Sequence, residues 1–113
     1  MATAKVDLII DYGESWKLIA NFPSTLTSGL ATALIEVEVL QTKNLRPEDV
    51  LLRLSTSNST ITVTGSTVSF VVSSKDLQNK LKAGKYHWRF YILWADGIRE
   101  EVMGGSFTYM ESF

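Results

Sequence analysis

Few residues in this chain have the type and spacing that chemistry needs. Glu36 and Glu38 stand two apart in an alternating stretch, so they share one face of a strand at about 6 to 7 Å, a separation that paired-carboxylate hydrolases use. Such a pair works only in a cleft that sets the two acidities apart, and no third polar partner follows nearby in sequence. The expected reading is a solvated face, and a hydrolase would require the two carboxylates to meet in a pocket. Asp11 with Glu14, Glu48 with Asp49, and Glu100 with Glu101 read as turn or edge residues. His87 is the single histidine. It sits within an apolar strand, and no serine occupies a Gly-x-Ser-x-Gly elbow, so a Ser-His-Asp arrangement is not assembled. Gly104-Gly105 lacks the lysine and following helix of a phosphate cradle and reads as a bulge. The expectation is a chain that is not an enzyme, with no catalytic, cofactor-binding or metal-ligating residue.

The aromatic residues carry a second kind of chemistry, because Tyr and Trp stack on sugars and bases as well as filling cores. Tyr86, Trp88, Phe90, Ile92 and Trp94 alternate with His87, Arg89, Tyr91 and Leu93. Alternation in the most apolar segment favours core filling for the first set, and leaves Tyr91 and Leu93 to cover a partner. A carbohydrate-binding module is the alternative of another class, with Trp16, Tyr86, Trp88, Tyr91 or Trp94 as stacking rings.

Composition narrows the classes further. The chain has 113 residues, one domain's worth, with 11 basic against 12 acidic groups and a net charge of -1. Scattered lysines and arginines under a slightly acidic balance disfavour nucleic acid. There is no cysteine, which removes disulfides, thiolate nucleophiles and Cys-ligated zinc. The longest apolar runs, such as residues 8–10, are far shorter than the roughly 20 residues a spanning helix needs, so no membrane role is expected. The first five residues do not read as a signal peptide. Asn58-Ser59-Thr60 matches the N-glycosylation triplet, but reads as a Ser/Thr-rich turn.

The elements that must position these residues follow from periodicity. Residues 5–12 form an extended stretch. Asp11-Tyr12-Gly13-Glu14 supplies a turn, and in residues 15–22 Trp16, Leu18, Ala20 and Phe22 oppose Lys17 and Asn21. Residues 24–29 read as polar turn. In residues 34–42, Ile35, Val37 and Val39 face one way and Glu36, Glu38 and Leu40 the other. Residues 43–49 form a loop broken by Pro47. Residues 50–54, 60–64 and 67–73 are short strands, the last two joined at Gly65-Ser66. Ser73 or Ser74 caps a short helix near residues 74–82, with Asp76 at its positive end and Gly84 ending it. Residues 85–94 form the most apolar strand, Asp96-Gly97 signals a two-residue hairpin, and residues 98–103 and 106–110 are the last two strands. The fold class expected is all-β. It is one domain over residues 1–113, an antiparallel immunoglobulin-like β-sandwich of about 7–8 strands with one short helix.

With the strands placed, Asp11-Tyr12-Gly13-Glu14-Ser15-Trp16-Lys17-Leu18 resembles the opening of small tailed-phage virion domains of immunoglobulin-like fold. Lys82-Ala83-Gly84-Lys85-Tyr86-His87-Trp88, Asp96-Gly97 and Gly105-Ser106-Phe107-Thr108 resemble that group's closing strands. The chain is similar to the N-terminal domain of phage baseplate upper proteins and to related stand-alone tail proteins. It departs from them in stopping at Phe113 and in its Ser/Thr/Leu segment over residues 23–32. The resemblance implies a structural protein without cofactor, made in the host cytoplasm and located in the virion. It would act in the tail, baseplate or fibre-attachment region, with a capsid decoration protein as the rival within the class. Its partners would be other phage structural proteins and further copies of itself. Exposed sandwich edges and leftover apolar surface supply the physical reason to assemble. The contacts expected are Leu26, Leu30, Tyr91, Met110 and Phe113.

Overall fold

The computed structural model describes residues 4–41 and 50–110, and the expected loop over residues 43–49, with Glu48 and Asp49, lies outside them. Nine strands and two short α-helices occur among the described residues: β1 (Ala4–Lys5), β2 (Leu8–Asp11), β3 (Trp16–Asn21), α1 (Thr27–Thr32), β4 (Leu34–Leu40), β5 (Val50–Ser55), β6 (Thr62–Thr64), β7 (Thr67–Val72), α2 (Ser74–Lys80), β8 (Gly84–Leu93) and β9 (Arg99–Met110). They form two sheets. The larger runs β1-β9-β8-β4-β5 with β2 also on β9, and the smaller runs β3-β7-β6. The result is an all-β sandwich whose strands divide between the sheets as in immunoglobulin-type folds.

Apolar residues at alternate positions of each strand meet between the sheets. Ile35, Val37 and Val39 of β4, Trp88, Phe90 and Ile92 of β8, and Phe107 and Tyr109 of β9 face Trp16 of β3 and Val68, Phe70 and Val72 of β7, all buried. Trp16 sits at the centre, edge-on to Phe70 at 4.9 Å, Phe107 at 5.0 Å and Trp88 at 5.7 Å between ring centroids. These are the separations at which the positive ring edge meets a negative face. The Tyr86, Trp88 and Phe90 rings of β8 are thus inside, as their alternation implies. Leu30 and Leu77 carry the two helices onto the same core.

Several expectations are corrected. First, residues 24–29 are not simply a turn: a 3-10 turn (Ser24–Leu26) runs into α1. This second helix has no acidic residue in its first turn, and burial of Leu30 pins it. Gly29 lets it approach the β8 side, since a Cβ there would stand 3.1 Å from the Trp94 ring.

Second, the sandwich is not wholly antiparallel. β1 and β2 pair in parallel with β9, Leu8 opposite Phe107 and Asp11 opposite Met110, while β3 pairs with β7. The Gly13 turn, at φ 95°, therefore passes the chain from one sheet to the other instead of closing a hairpin.

Third, the two strands expected over residues 98–103 and 106–110 are one strand, β9, that begins at Arg99 and continues through Gly104 and Gly105. The register shift lies beside Val102, where Phe90 pairs with Met103 and Tyr91 with Glu101. The glycines serve close approach instead. A Cβ on Gly105 would collide with the Val6 carbonyl oxygen and lie 2.8 Å from Asp7 Oδ1.

Fourth, the Asp96-Gly97 hairpin has a three-residue loop. The Trp94 N–H donates to the Ile98 carbonyl at 2.8 Å and the Gly97 N–H to the Trp94 carbonyl at 2.9 Å, with Gly97 at φ 91°. That is a turn followed by a left-handed residue that forms a bulge.

The helix expected near residues 74–82 is α2, capped by Ser73 Oγ, which accepts from the Asp76 N–H. It ends at Leu81, whose backbone is extended, so Gly84 opens β8 instead of closing the helix.

Candidate functional site

The outer face of the larger sheet gathers the charged residues that alternation placed away from the core. Register sets Glu38 of β4 opposite Arg53 of β5 on one side and Arg89 of β8 on the other, and Glu36 opposite Tyr91. The Glu38 side chain has no exposed surface. Arg53 Nε donates to its Oε2 at 2.8 Å, and Arg89 Nε and a terminal nitrogen both reach its Oε1 at 2.6 Å. The Tyr91 hydroxyl donates to Glu36 Oε1. Arg99 lies over the Tyr91 ring with its guanidinium carbon 4.1 Å from the centroid, and Arg89 approaches at 5.5 Å. Both separations are within the range for cation–π attraction.

This corrects the expectation of a solvated glutamate face. Glu38 is buried because two guanidinium groups replace its hydration, each through charge-assisted hydrogen bonds. The Glu38 hydrogen bond holds the Arg53 guanidinium above its usual range. Burial, followed by the hydrogen bond to Glu36, pushes the Tyr91 hydroxyl up to about 12. The two carboxylates are engaged by different partners and do not meet in a pocket. The arrangement is a cross-strand ladder of Arg53, Glu38, Arg89 and Tyr91 capped by Arg99. Among the described residues no group of three or more His, Asp or Glu is placed to hold a metal ion.

The remaining acids divide. Asp11 and Glu14 make the turn as expected, with the Asp11 N–H donating to Glu14 Oε1 at 3.2 Å. Glu100 was expected at a turn or edge, yet it is half-buried and accepts the Trp94 indole N–H at 3.1 Å. Trp94 and Glu100 line an open groove of about 410 Å³ with Thr25, Ser28, Asp96 and Ile98. His87 is half-buried on the outer face, beside Lys5, Asp7 and Ser106. There the Ser106 backbone N–H donates to Asp7 and holds its carboxyl below the usual range.

The expected partner contacts separate in the same way. Leu30 is core at 1% exposure and cannot meet a partner. Tyr91 is 8% exposed and covered by its arginines, so it is a structural member of the ladder and not a free contact. Met110 is exposed. Leu26 ends the 3-10 turn, and Phe113 lies outside the described residues. Of the five rings named for sugar stacking, Trp16, Tyr86, Trp88 and Tyr91 are buried and only Trp94 is partly open.

Sequence reasoning missed Ile98 in the last hairpin loop and three exposed apolar residues on strands. Ile9 is open on β2, Ile19 on β3 and Val71 on β7. The signal was present: each falls at the outward phase of a strand whose inward phase is already apolar. Ile9 and Met110 stand diagonally on neighbouring strands, since Ile9 is opposite Thr108 and Asp11 opposite Met110. Ile19 and Val71 are likewise diagonal, being opposite Ser69 and Lys17.

No protein-family model matches the sequence, and no curated protein matches it. Among solved structures the chain is similar to Drosophila OTK, extracellular domains 3-5, with 15% identity and a TM-score of 0.37. The likeness covers 96% of this chain and 33% of that one, so the chain spans about a third of the length of that structure. No helix among the described residues is long and apolar enough to cross a membrane.

Proposed function

We propose that this protein is a non-enzymatic assembly subunit that acts through protein–protein contact. Its setting, from the resemblance carried by residues 11–18, 82–88, 96–97 and 105–108, is the virion of a tailed phage, in the tail, baseplate or fibre-attachment region. The observation that carries the reading is the exposed pair of Ile9 and Met110, 68% and 42% open, diagonal neighbours on the outer face where β2 flanks β9. Apolar side chains at that exposure gain from being covered by another subunit. The charged ladder supports the same reading, because the Glu38 carboxylate is already bonded to Arg53 and Arg89 and that of Glu36 to the Tyr91 hydroxyl.

The test is mass spectrometry of purified particles, together with incorporation of the Ile9→Lys and Met110→Lys double variant. Both side chains are exposed, so the fold is retained and the change falls on assembly. The chain is expected in particles, with the double variant reduced at least several-fold. Absence of the wild-type chain from particles overturns the virion setting. Glycan titration is the contrasting arm: a saturable fluorescence response removed by Trp94→Ala would replace assembly with sugar binding at the Trp94 groove.

A further inference from the structure

β3 is an edge strand. Its only partner among the described residues is β7, and both β1 and β2, which precede it in the chain, lie in the other sheet. The Phe22 N–H donates to the Ser66 carbonyl at 2.8 Å, on the β7 side. The antiparallel period then directs the backbone groups of Trp16, Leu18 and Ala20 toward β7, and those of Lys17, Ile19 and Asn21 away from it. The same three residues have exposed side chains. An edge of this kind, without proline or bulge and with an isoleucine at its middle, is a template for another strand.

We propose that two copies of this chain pair through their β3 edges, antiparallel, about a twofold axis at Ile19. The proposal rests on the reading of the chain as an assembly subunit and names its first partner.

Register follows from two constraints. Residues directly opposite in an antiparallel pair lie on the same face, so the two facing positions must sum to an even number. Centring on Ile19 places Ile19 opposite its copy and Lys17 opposite Asn21 of the other chain, which brings the outward-directed N–H and C=O groups of Lys17, Ile19 and Asn21 into the ladder together. Centring on Leu18 leaves Asn21 outside it, and centring on Lys17 sets two ammonium groups face to face. In the favoured register no like charges meet. Asn21 Oδ1, which accepts from Thr67 Oγ1 at 2.9 Å, retains a lone pair for the opposite Lys17. Ile19, 56% exposed, meets its copy across the axis, and its diagonal neighbour Val71, 60% exposed, extends the apolar patch along β7 on each side of it. The smaller sheets of the two copies then become one continuous sheet.

Sedimentation of the full chain over a concentration series tests this, with circular dichroism confirming the fold of each variant. The wild type is expected to dimerise. Asn21→Lys puts a second ammonium opposite Lys17 at two symmetric positions and is expected to weaken the dimer by about tenfold. The Lys17→Asp and Asn21→Lys double variant pairs opposite charges in the same register and is expected to restore it. Because the native chain has no cysteine, Ile19→Cys reports only contact between copies. It is expected to oxidise to a covalent dimer, whereas Thr64→Cys on the β6 edge is not. A wild type that stays monomeric throughout overturns the proposal. A dimer indifferent to Asn21→Lys, with Ile19→Cys uncrosslinked, also overturns the β3 contact while leaving the assembly reading in place.

Discussion

The Trp88 indole N–H donates to the backbone carbonyl of Val6 at 2.7 Å, joining positions 82 residues apart. Val6 lies between β1 and β2, where its own N–H donates to the Gly104 carbonyl at 2.8 Å. Asp7 beside it accepts from the Ser106 N–H at 3.0 Å. The central buried ring of β8 is thereby tied to the first strands, and the bare backbone of Gly105 makes room for the crossing.

Gly105→Ala is therefore expected to destabilise the fold by about 2 to 3 kcal/mol, because its Cβ would enter the Val6 carbonyl and overpacking against backbone is not relieved by rotamer change. Urea denaturation measures the loss. Hydrogen exchange should localise it, with the amides of Val6 and Ser106 losing protection before those of β4.

Glu38→Gln is expected to cost about 3 kcal/mol, since it keeps the shape but leaves the Arg89 side chain, 12% exposed, without its counter-charge. Arg53→Gln should cost less than about 1 kcal/mol, because that side chain is 47% exposed and water replaces the bond. Equal losses for the two variants would mean that burial of Glu38 does not govern the ladder.

Alkaline stability should depend on Tyr91, whose hydroxyl titrates at about 12 through burial and its bond to Glu36. The unfolded tyrosine titrates near 10. A raised folded value means that the neutral form is the one stabilised, so this contribution is complete below about pH 10 and is lost as pH rises through about 12. Tyr91→Phe should flatten the stability profile across that window, read by denaturant midpoints from pH 9 to 12.

Tyr109→Phe is expected to leave stability unchanged or to raise it by about 1 kcal/mol. The Tyr109 ring stacks on Tyr12 at 5.1 Å, while its buried hydroxyl has no hydrogen-bond partner among the described residues. Removing an unsatisfied buried donor relieves a desolvation cost. A fall of more than 1 kcal/mol in thermal or urea unfolding would contradict this account.

The strands were legible because their inward phase is apolar almost without interruption. Ile35, Val37 and Val39, and likewise Trp88, Phe90 and Ile92, announce both their element and their buried face. The helix α1 was not legible, since its Ser/Thr-rich start has weak helix propensity and its stability comes from the burial of Leu30, a tertiary effect. Parallel pairing of β2 with β9 is equally remote from local sequence. The charged ladder was half legible: alternation put Glu36 and Glu38 on one face. What buries Glu38 is a pair of arginines 15 and 51 positions away, which no local pattern reveals. The same distance effect hides the role of Tyr91, which alternation presents as a contact and which Arg99, eight positions on and in the next strand, covers. Exposed Ile19 and Ile9 were readable from phase alone.

The parallel seating of β2 on β9 sets how the molecule bears load. Ala4 lies level with Met103 and Asp11 with Met110, so tension applied at Ala4 and Met110 draws two neighbouring strands lengthwise past each other. Every rung between them must then give way at once, as in a lap joint, where a hairpin peeled from its open end would fail rung by rung.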